Sequence, residues 1–294
     1  MKKWIRIGGY TAAAVAIGAG VLVLAGLALA DARMQRTIDV TVRPVPITDD
    51  ASSLQRGRYL FRSRGCIDCH GEDGAGRTFV EGPDLRIHGA NLTTGPGSAV
   101  AQYRPEDWVR SIRHGVAPSG RPLRVMPSED YNRLTDADLG ALIAYVRSLP
   151  PAPGAPTEVR LPLPARVLYG LGAIPDAASK IDHDLPPAEP VPEGVTVAHG
   201  AYVANMCLGC HGPALSGGRI PGSPPDWPPA PRLAPGDGSV MANYAEAESL
   251  MQLFRSGKRA DGSAVRVMPF ESLGHINETD VRALHLYLRS LKPS

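Results

Sequence analysis

The stretch that decides the fold is CIDCH at residues 66–70, which has a counterpart, CLGCH, at residues 207–211. Each stretch places two cysteines three positions apart and a histidine directly after the second one. Together they contain all 4 cysteines of the 294-residue chain, so none remains for a disulfide elsewhere. The pattern is compatible with three kinds of site: a zinc site, a redox dithiol and a covalent attachment point for haem.

Haem attachment is the chemistry that best explains this spacing. A zinc site usually takes its ligands from cysteine pairs at short separation, and these two pairs lie far apart. A thioredoxin-type dithiol belongs beside a βαβ pattern, and no alternating strand pattern stands out here. Two thiols on one helical turn suit the two vinyl groups on one porphyrin edge, and the adjacent histidine suits the iron. We therefore expect two covalently bound haem c groups, with attachment at Cys66, Cys69, Cys207 and Cys210 and with His70 and His211 as proximal ligands.

The chain repeats itself around the two motifs. Residues 110–151 align with residues 252–293 without a gap, and a Gly-x-Tyr stretch precedes each motif, at Gly57 and at Gly200. A repeat of this length indicates two copies of one structural unit. Between the copies, proline is frequent enough to prevent a long helix and to stiffen the connection.

The local patterns predict an all-α chain. Thr135 and Asn277 each precede a run of apolar residues at helical spacing, as a helix-capping residue does, and Pro105 opens another helix. The predicted organisation is one domain at residues 51–150, a Pro-rich linker at 151–194 and a second domain at 195–294. Aromatic residues make up only 5% of the chain, which is thin for two cores and favours a large apolar cofactor within each. The net charge of +2 does not suggest a nucleic-acid partner.

A second axial ligand for each iron is sought among the methionines. Met126 and Met268 occupy matching positions in the repeat, each within the sequence R-V-M-P, and they are the predicted sixth ligands. Ligation by a second histidine is the alternative. Arg124 and Arg266 precede the methionines by two residues and could pair with a haem propionate, although a solvated surface position suits them equally.

The N-terminal segment, residues 1–36, is predicted to be a membrane anchor. Residues 7–30 carry no charge, and spanning a bilayer takes about 20 apolar residues. Lys2, Lys3 and Arg6 precede this stretch, so the N-terminus should stay in the cytoplasm and the rest of the chain should cross the inner membrane to the periplasm. The alternative is a cleaved signal peptide, since Ala28 and Ala30 form a small-x-small site.

Both copies resemble class I cytochrome c domains. The resemblance rests on the Gly-x-Tyr helix, the C-x-x-C-H motif, the methionine loop and an aromatic residue in the last helix, Tyr145 or Tyr287. It implies that the first and last helices of each domain cross at the glycine and the aromatic residue. It also implies that a proline carbonyl holds the proximal histidine. The segment around Pro83 resembles the family's Gly-Pro-x-Leu, and PAPRLA around Pro231 lacks the glycine.

More narrowly, the chain resembles the membrane-anchored cytochrome subunits that accept electrons from periplasmic alcohol, gluconate or aldehyde dehydrogenases. Those subunits often hold three haems, whereas two motifs are present here. The resemblance implies a diheme electron carrier that is not itself an enzyme, with a dehydrogenase as donor and an oxidase or soluble carrier as acceptor. The alternative is a diheme peroxidase, with Glu129 and Glu271 as candidate acid–base residues.

Overall fold

The computed structural model describes residues 2–220, 222–224 and 226–292. Most of this part of the chain is helical or irregular. Its α-helices run, in chain order, over Lys2–Gln35 (α1), Ala51–Ser63 (α2), Cys66–His70 (α3), Pro105–His114 (α4), Asp136–Ser148 (α5), Leu163–Gly170 (α6), Val197–Ala204 (α7), Leu208–His211 (α8), Ala247–Ser256 (α9), Phe270–Leu273 (α10) and Glu278–Ser290 (α11).

The helices begin where the capping residues predict. The Thr135 side chain accepts a hydrogen bond from the backbone N–H of Asp138 at the start of α5, and Asn277 does the same for Asp280 at the start of α11. Pro105 is the first residue of α4, where its missing N–H costs no helical hydrogen bond. These local signals are confirmed, because each depends on only four consecutive residues.

In the first helical unit, which comprises α2 to α5, helices α2 and α5 cross with their backbones in close contact. A Cβ atom on Gly57 would lie 2.0 Å from the carbonyl oxygen of Ala141 and 2.6 Å from the Cβ of Tyr145. The predicted crossing of the first and last helices at Gly57 and Tyr145 is therefore confirmed. Phe61 and Leu139 are fully buried in the core beside this crossing.

The second helical unit, α7–α11, repeats this arrangement with α7 and α11. A Cβ atom on Gly200 would lie 2.0 Å from the carbonyl oxygen of Ala283 and 2.6 Å from the Cβ of Tyr287. The core of this unit is separate from that of the first and includes Val203, Leu284 and Leu288. Both units therefore rest on the same contact between a glycine in one helix and the backbone of another.

A small sheet departs from the all-α prediction. Strands β1 (Thr78–Glu81), β2 (Arg86–His88) and β3 (Glu158–Arg160) pair antiparallel in the order β1-β2-β3. Strands of three or four residues are too short to show a readable alternation, so periodicity could not reveal them. β3 belongs to the Pro-rich segment and ties it to the first helical unit.

The rest of the segment 151–194 packs against α1 and α4. Arg36, one residue beyond α1, donates a 2.8 Å hydrogen bond to the buried carboxylate of Asp176. Further along the segment, the Nδ1 atom of His183 lies 3.1 Å from that of His114 at the end of α4. The segment is thus held at several points along its length.

Replacing Gly57 by alanine should lower the free energy of unfolding by about 2–3 kcal/mol, because the added methyl group forces α2 and α5 apart. The measurement is denaturant unfolding followed by circular dichroism. Gly194→Ala is the matched control: the nearest atom there is the Thr196 Cγ2 at 4.0 Å, so the change should stay within about 0.5 kcal/mol. Equal losses in both variants would contradict the close crossing.

The His114–His183 contact should make stability depend on pH. Burial, His183 and the neighbouring Arg113 lower the pKa of His114 from 6.5 to about 4. The unfolded chain therefore binds the extra proton first, so stability is fully present above pH 6.5 and is lost as the pH falls toward 4. Because one pKa unit corresponds to about 1.4 kcal/mol, we expect a loss of about 2–3 kcal/mol across this window.

The variant His114→Leu should show a flatter stability profile over the same pH range, as measured by urea unfolding at a series of pH values. His275→Leu is the control, since this histidine is about one-third exposed and lies 3.5 Å from Glu72. It should keep the slope of the unsubstituted protein. A slope that survives His114→Leu would show that another group is responsible.

Candidate functional site

Each C-x-x-C-H motif lies on a short helical segment ended by a glycine. Cys66 and Cys69 are on α3, while Cys207 ends a 3₁₀ turn that continues into α8. The glycines that follow the two histidines, Gly71 and Gly212, have φ angles of 75° and 78°, a backbone region that favours glycine. The motifs therefore have the same local geometry.

The two motif histidines make the same hydrogen bond. The Nδ1–H of His70 donates to the carbonyl oxygen of Ala90 at 2.8 Å, and that of His211 donates to the carbonyl oxygen of Pro231 at 2.8 Å. A carbonyl can only accept, so Nδ1 carries the proton and Nε2 keeps its lone pair. This is how proteins commonly orient a histidine that binds a metal through Nε2.

The proline expected to hold His70 was misplaced. Pro83 was assigned from its resemblance to Gly-Pro-x-Leu, but the partner of His70 is Ala90. In the second copy the carbonyl of Pro231 does hold His211, although its segment lacks the glycine of the family pattern. The insertion of β1 and β2 explains the error, because these strands lie between His70 and the segment that returns to it.

The four cysteine thiols are free; Cys66, Cys69 and Cys207 are partly buried, and Cys210 is exposed. Burial raises the pKa of Cys66 and of Cys207 to about 12 and that of Cys69 to about 11, and it also raises that of Cys210. A redox dithiol needs a lowered pKa on its attacking thiol, so this environment speaks against the dithiol alternative. Nor do the described residues contain a cluster of three or more His, Cys, Asp or Glu side chains suited to a zinc ion.

Each predicted methionine ligand lies in the same unit as the motif it was paired with. Met126 and Cys66 both pack against the core of the first helical unit, and Met268 and Cys207 pack against that of the second. Burial lowers the pKa of His70 and His211, which keeps both imidazoles neutral and able to bind a metal. Two thiols, a neutral imidazole and a thioether in each core form a donor set that fits haem c.

The two arginines before the methionines are exposed. Arg124 donates a 3.4 Å hydrogen bond to the carbonyl oxygen of Val159 in β3. Arg266 lies 3.5 Å from the carboxylate of Asp226. A propionate role for either one stays a prediction.

The histidines outside the motifs have other partners. Besides the pairs already described, the His199 Nε2–H donates to Asp280, that of His285 donates to the Tyr244 carbonyl, and His88 contacts the Thr78 hydroxyl. These contacts leave the bis-histidine alternative without a candidate oriented like the motif histidines.

The two helical units meet in a reciprocal contact. The Tyr59 hydroxyl donates to the Asp280 carboxylate at 2.6 Å, and the Tyr202 hydroxyl donates to the Asp138 carboxylate at 2.6 Å. Each tyrosine also accepts a 3.3 Å hydrogen bond from the backbone N–H of the other unit's capping residue, Asn277 or Thr135. The first helix of each unit thus contacts the N-terminus of the other unit's last helix.

Buried charges surround one half of this contact. Asp280 is fully buried and accepts hydrogen bonds from Arg64 at 2.5 Å and His199 at 2.7 Å as well as from Tyr59. Burial opposes the charge on Asp280, but Arg64 and the hydrogen bonds keep its pKa below the usual value. The equivalent carboxylate, Asp138, pairs with the partly exposed Arg56 at 2.8 Å.

A second reciprocal contact brings both motif helices into this interface. The Ser272 hydroxyl, just past Met268, donates to Asp68 of the first motif at 2.6 Å. The backbone N–H of Gly209, in the second motif, donates to Asp130 at 2.9 Å. Burial, with Glu129 nearby, raises the pKa of Asp130 to about 7. Each motif therefore contacts the turn that follows the other unit's methionine.

Sequence reasoning missed the residues of this interface. Tyr59 and Tyr202 recur in the repeat, and Asp138 and Asp280 recur three residues after the capping residues. Their recurrence is a usable signal. When a residue recurs in both copies and the fold of one copy does not require it, the two occurrences are expected to have the same function. The sequence does not show that the contact runs between the units.

Comparison with known proteins first defines the class. Residues 52–146 match the family described as cytochrome c oxidase, cbb3-type, subunit III. This range contains the first motif, Ala90, Met126 and the crossing of α2 with α5. It is therefore a cytochrome c domain, a class that binds haem c covalently.

Curated relatives then place the chain more narrowly. It is 29% identical to the fructose dehydrogenase cytochrome subunit of Gluconobacter japonicus, over 92% of this chain and 57% of that one. It is 27% identical to the cytochrome c subunit of the quinone-dependent alcohol dehydrogenase of Gluconobacter oxydans (strain 621H), over 82% and 55%. It is 28% identical to the gluconate 2-dehydrogenase cytochrome c subunit of Pantoea cypripedii, over 83% and 62%. The chain thus resembles cytochrome subunits of dehydrogenases and spans a little over half their length.

The peroxidase alternative has no support among these relatives, which are named as cytochrome subunits. Its candidate residues are also engaged in ion pairs. Glu129 accepts a 2.5 Å hydrogen bond from Lys180, and Glu271 accepts hydrogen bonds of 2.7 and 2.8 Å from Arg77.

The variant Asp280→Asn should lower the free energy of unfolding by about 3 kcal/mol, because it leaves the buried Arg64 without a counter-charge. The measurement is denaturant unfolding at neutral pH. Glu72→Gln is the control: its partner Arg62 lies 2.9 Å away in an exposed pair, worth about 0.5 kcal/mol or less. A loss at Asp280 no larger than that of the control would show that the interface does not depend on this charge.

Proposed function

We propose that this chain is a membrane-anchored diheme c-type cytochrome that carries electrons from a dehydrogenase toward a respiratory acceptor. The observation that carries the proposal is the repeated histidine geometry. In both motifs the imidazole is neutral and held through Nδ1 by a backbone carbonyl, with Nε2 left for a metal. Two unrelated sites would not be expected to share this arrangement.

Two haem c groups are proposed, one for each helical unit. Cys66 and Cys69 attach the first, with His70 and Met126 as its axial ligands. The equivalent residues of the second unit are Cys207, Cys210, His211 and Met268. The support is that Cys66 and Met126 pack against one core, that Cys207 and Met268 pack against another, and that the two cores are separate. Haem iron, when bound, supplies the one-electron chemistry, and the protein supplies position and electrostatics.

The residues of the chain act by holding and insulating these groups. The carbonyls of Ala90 and Pro231 orient the proximal histidines, and the buried cores around Cys66 and Cys207 exclude water. The Tyr59–Asp280 and Tyr202–Asp138 contacts hold the units together, and each motif helix faces the other unit. We propose that electrons pass between the units across this interface.

The anchor proposed for the chain is α1. Its residues Ile7–Gln35 form a stretch that is long and apolar enough to cross a bilayer. The basic residues Lys2, Lys3 and Arg6 favour a cytoplasmic N-terminus, which directs both helical units to the periplasmic side of the inner membrane. The proposed donor is a dehydrogenase that meets these units on the periplasmic side, and the support is that the named relatives are cytochrome subunits of dehydrogenases.

The number of haems and their redox activity test this proposal together. The holoprotein, made with a cytochrome c maturation system, should carry two haems by intact mass and pyridine haemochrome. It should also show two one-electron steps in a redox titration. The double variant Cys207→Ala/Cys210→Ala should keep one haem and one step. A mass equal to that of the polypeptide alone would overturn the proposal.

The methionine ligands are tested on the same preparation. Met126→Ala should lower one of the two potentials, because Met/His ligation raises the potential of a haem. Met251→Ala, in the core of the second unit but outside the methionine loops, is the control and should leave both potentials in place. If both potentials are unchanged in Met126→Ala, Met126 is not an axial ligand. That result would not affect the proposal of two haems.

A further inference from the structure

The segment between the two helical units contains a short helix that lies against the membrane-spanning candidate. A Cβ atom on Gly170 of α6 would lie 1.9 Å from the carbonyl oxygen of Gly26 in α1 and 2.8 Å from the backbone nitrogen of Ala30. A Cβ atom on Gly26 would lie 2.7 Å from the Val167 Cγ1. The two helices therefore cross with their backbones in close contact at residues 26–30.

The crossing lies inside the uncharged stretch of α1, not beyond it. Residues 7–30 carry no charge, and the first charged residue after them is Asp31. α1 is exposed along this stretch, and Leu24 and Leu29 keep 69% and 48% of their surface accessible beside the crossing. If the uncharged stretch occupies the hydrocarbon core, α6 lies at its outer boundary.

One side of α6 is apolar and exposed and the other is polar, as is typical of a helix that lies at a membrane interface. Pro164, Leu168 and Leu171 recur at intervals of four and three residues, so they share one side of the helix, and the two leucines are 44% and 46% exposed. The other side is polar and engaged. Arg166 lies 3.5 Å from Asp31, and the Tyr169 hydroxyl donates to Asp176 at 2.8 Å.

The polar partners of α6 lie just past the apolar part of α1. Arg33 stacks over the Tyr169 ring at 5.6 Å, and Arg36 donates to Asp176. Charged residues and a tyrosine at this level are what the headgroup region of a bilayer accommodates. The exposed leucines of α6 lie on the other side of the helix from these polar contacts.

We propose that α6 is an interfacial membrane helix, whose leucine side enters the outer boundary of the bilayer next to α1. The inference rests on the proposed anchoring by α1 and goes beyond it. A single transmembrane helix leaves the attached domains free to tilt, whereas a second contact fixed to α1 holds them at one height and orientation. The segment 151–194 would then couple the position of both helical units to the membrane.

Site-directed spin labelling of the full-length holoprotein in phospholipid vesicles tests this inference. Single cysteines are introduced as Leu168→Cys in α6, Val15→Cys in α1 and Leu286→Cys in α11, all at exposed apolar positions. The unsubstituted holoprotein reports any labelling of the native cysteines. Collisions of each label with oxygen, which concentrates in the bilayer, are compared with collisions with a water-soluble nickel chelate.

We expect the labels at positions 168 and 15 to show an oxygen-to-nickel accessibility ratio severalfold above that at position 286. If position 168 matches position 286 while position 15 stays oxygen-accessible, α6 lies in water and the inference is overturned, although the anchor stands. If position 168 is shielded from both reagents, another copy of the protein covers it, and the inference is again overturned. A nickel-accessible label at position 15 would overturn the anchor itself.

Discussion

The crossing of the first and last helices at a glycine is the constraint on which the rest of the structure depends. At Gly57 and Gly200 the absence of a side chain lets one helix rest directly on the backbone of another. This contact fixes the start of each C-x-x-C-H segment relative to the last helix. It also sets the place of the tyrosine two residues further along, which then contacts the other unit. The same glycine contact therefore positions both the helices of each unit and the tyrosine of the interface.

The interface gives the two units a fixed relation that a flexible linker could not provide. Tyr59 and Tyr202 each satisfy a helix N-terminus and a buried carboxylate of the opposite unit. Isolated buried charges are costly, so Asp280 and Arg64 are stable only while the units stay together. We propose that the protein passes electrons between two haems, one in each unit. A fixed contact between the units keeps the distance between the two haems short and constant, as electron transfer requires.

The N-terminal helix α1 and the proline-rich segment 151–194 are in direct contact. Proline makes the segment stiff, β3 joins it to the first unit, and α6 joins it to α1. The segment therefore links α1, the proposed membrane anchor, to the first helical unit through direct contacts. In the proposal, the segment fixes the orientation of both helical units relative to the membrane. A donor enzyme in the periplasm would then always bind the same exposed surface.

Short-range signals and the internal repeat allowed the sequence alone to determine most of the helices, their caps, the two motifs and the matching methionines. These features depend on spacing within a few residues or on repetition. The glycine crossings join residues far apart in the chain, and they were expected only from the resemblance to cytochrome c domains. Only the tertiary structure decided that Ala90 rather than Pro83 holds His70, because two short strands displace the chain between them. It alone also decided that Tyr59 pairs with Asp280 and that α6 lies on α1, since such contacts join residues whose separation no local pattern records.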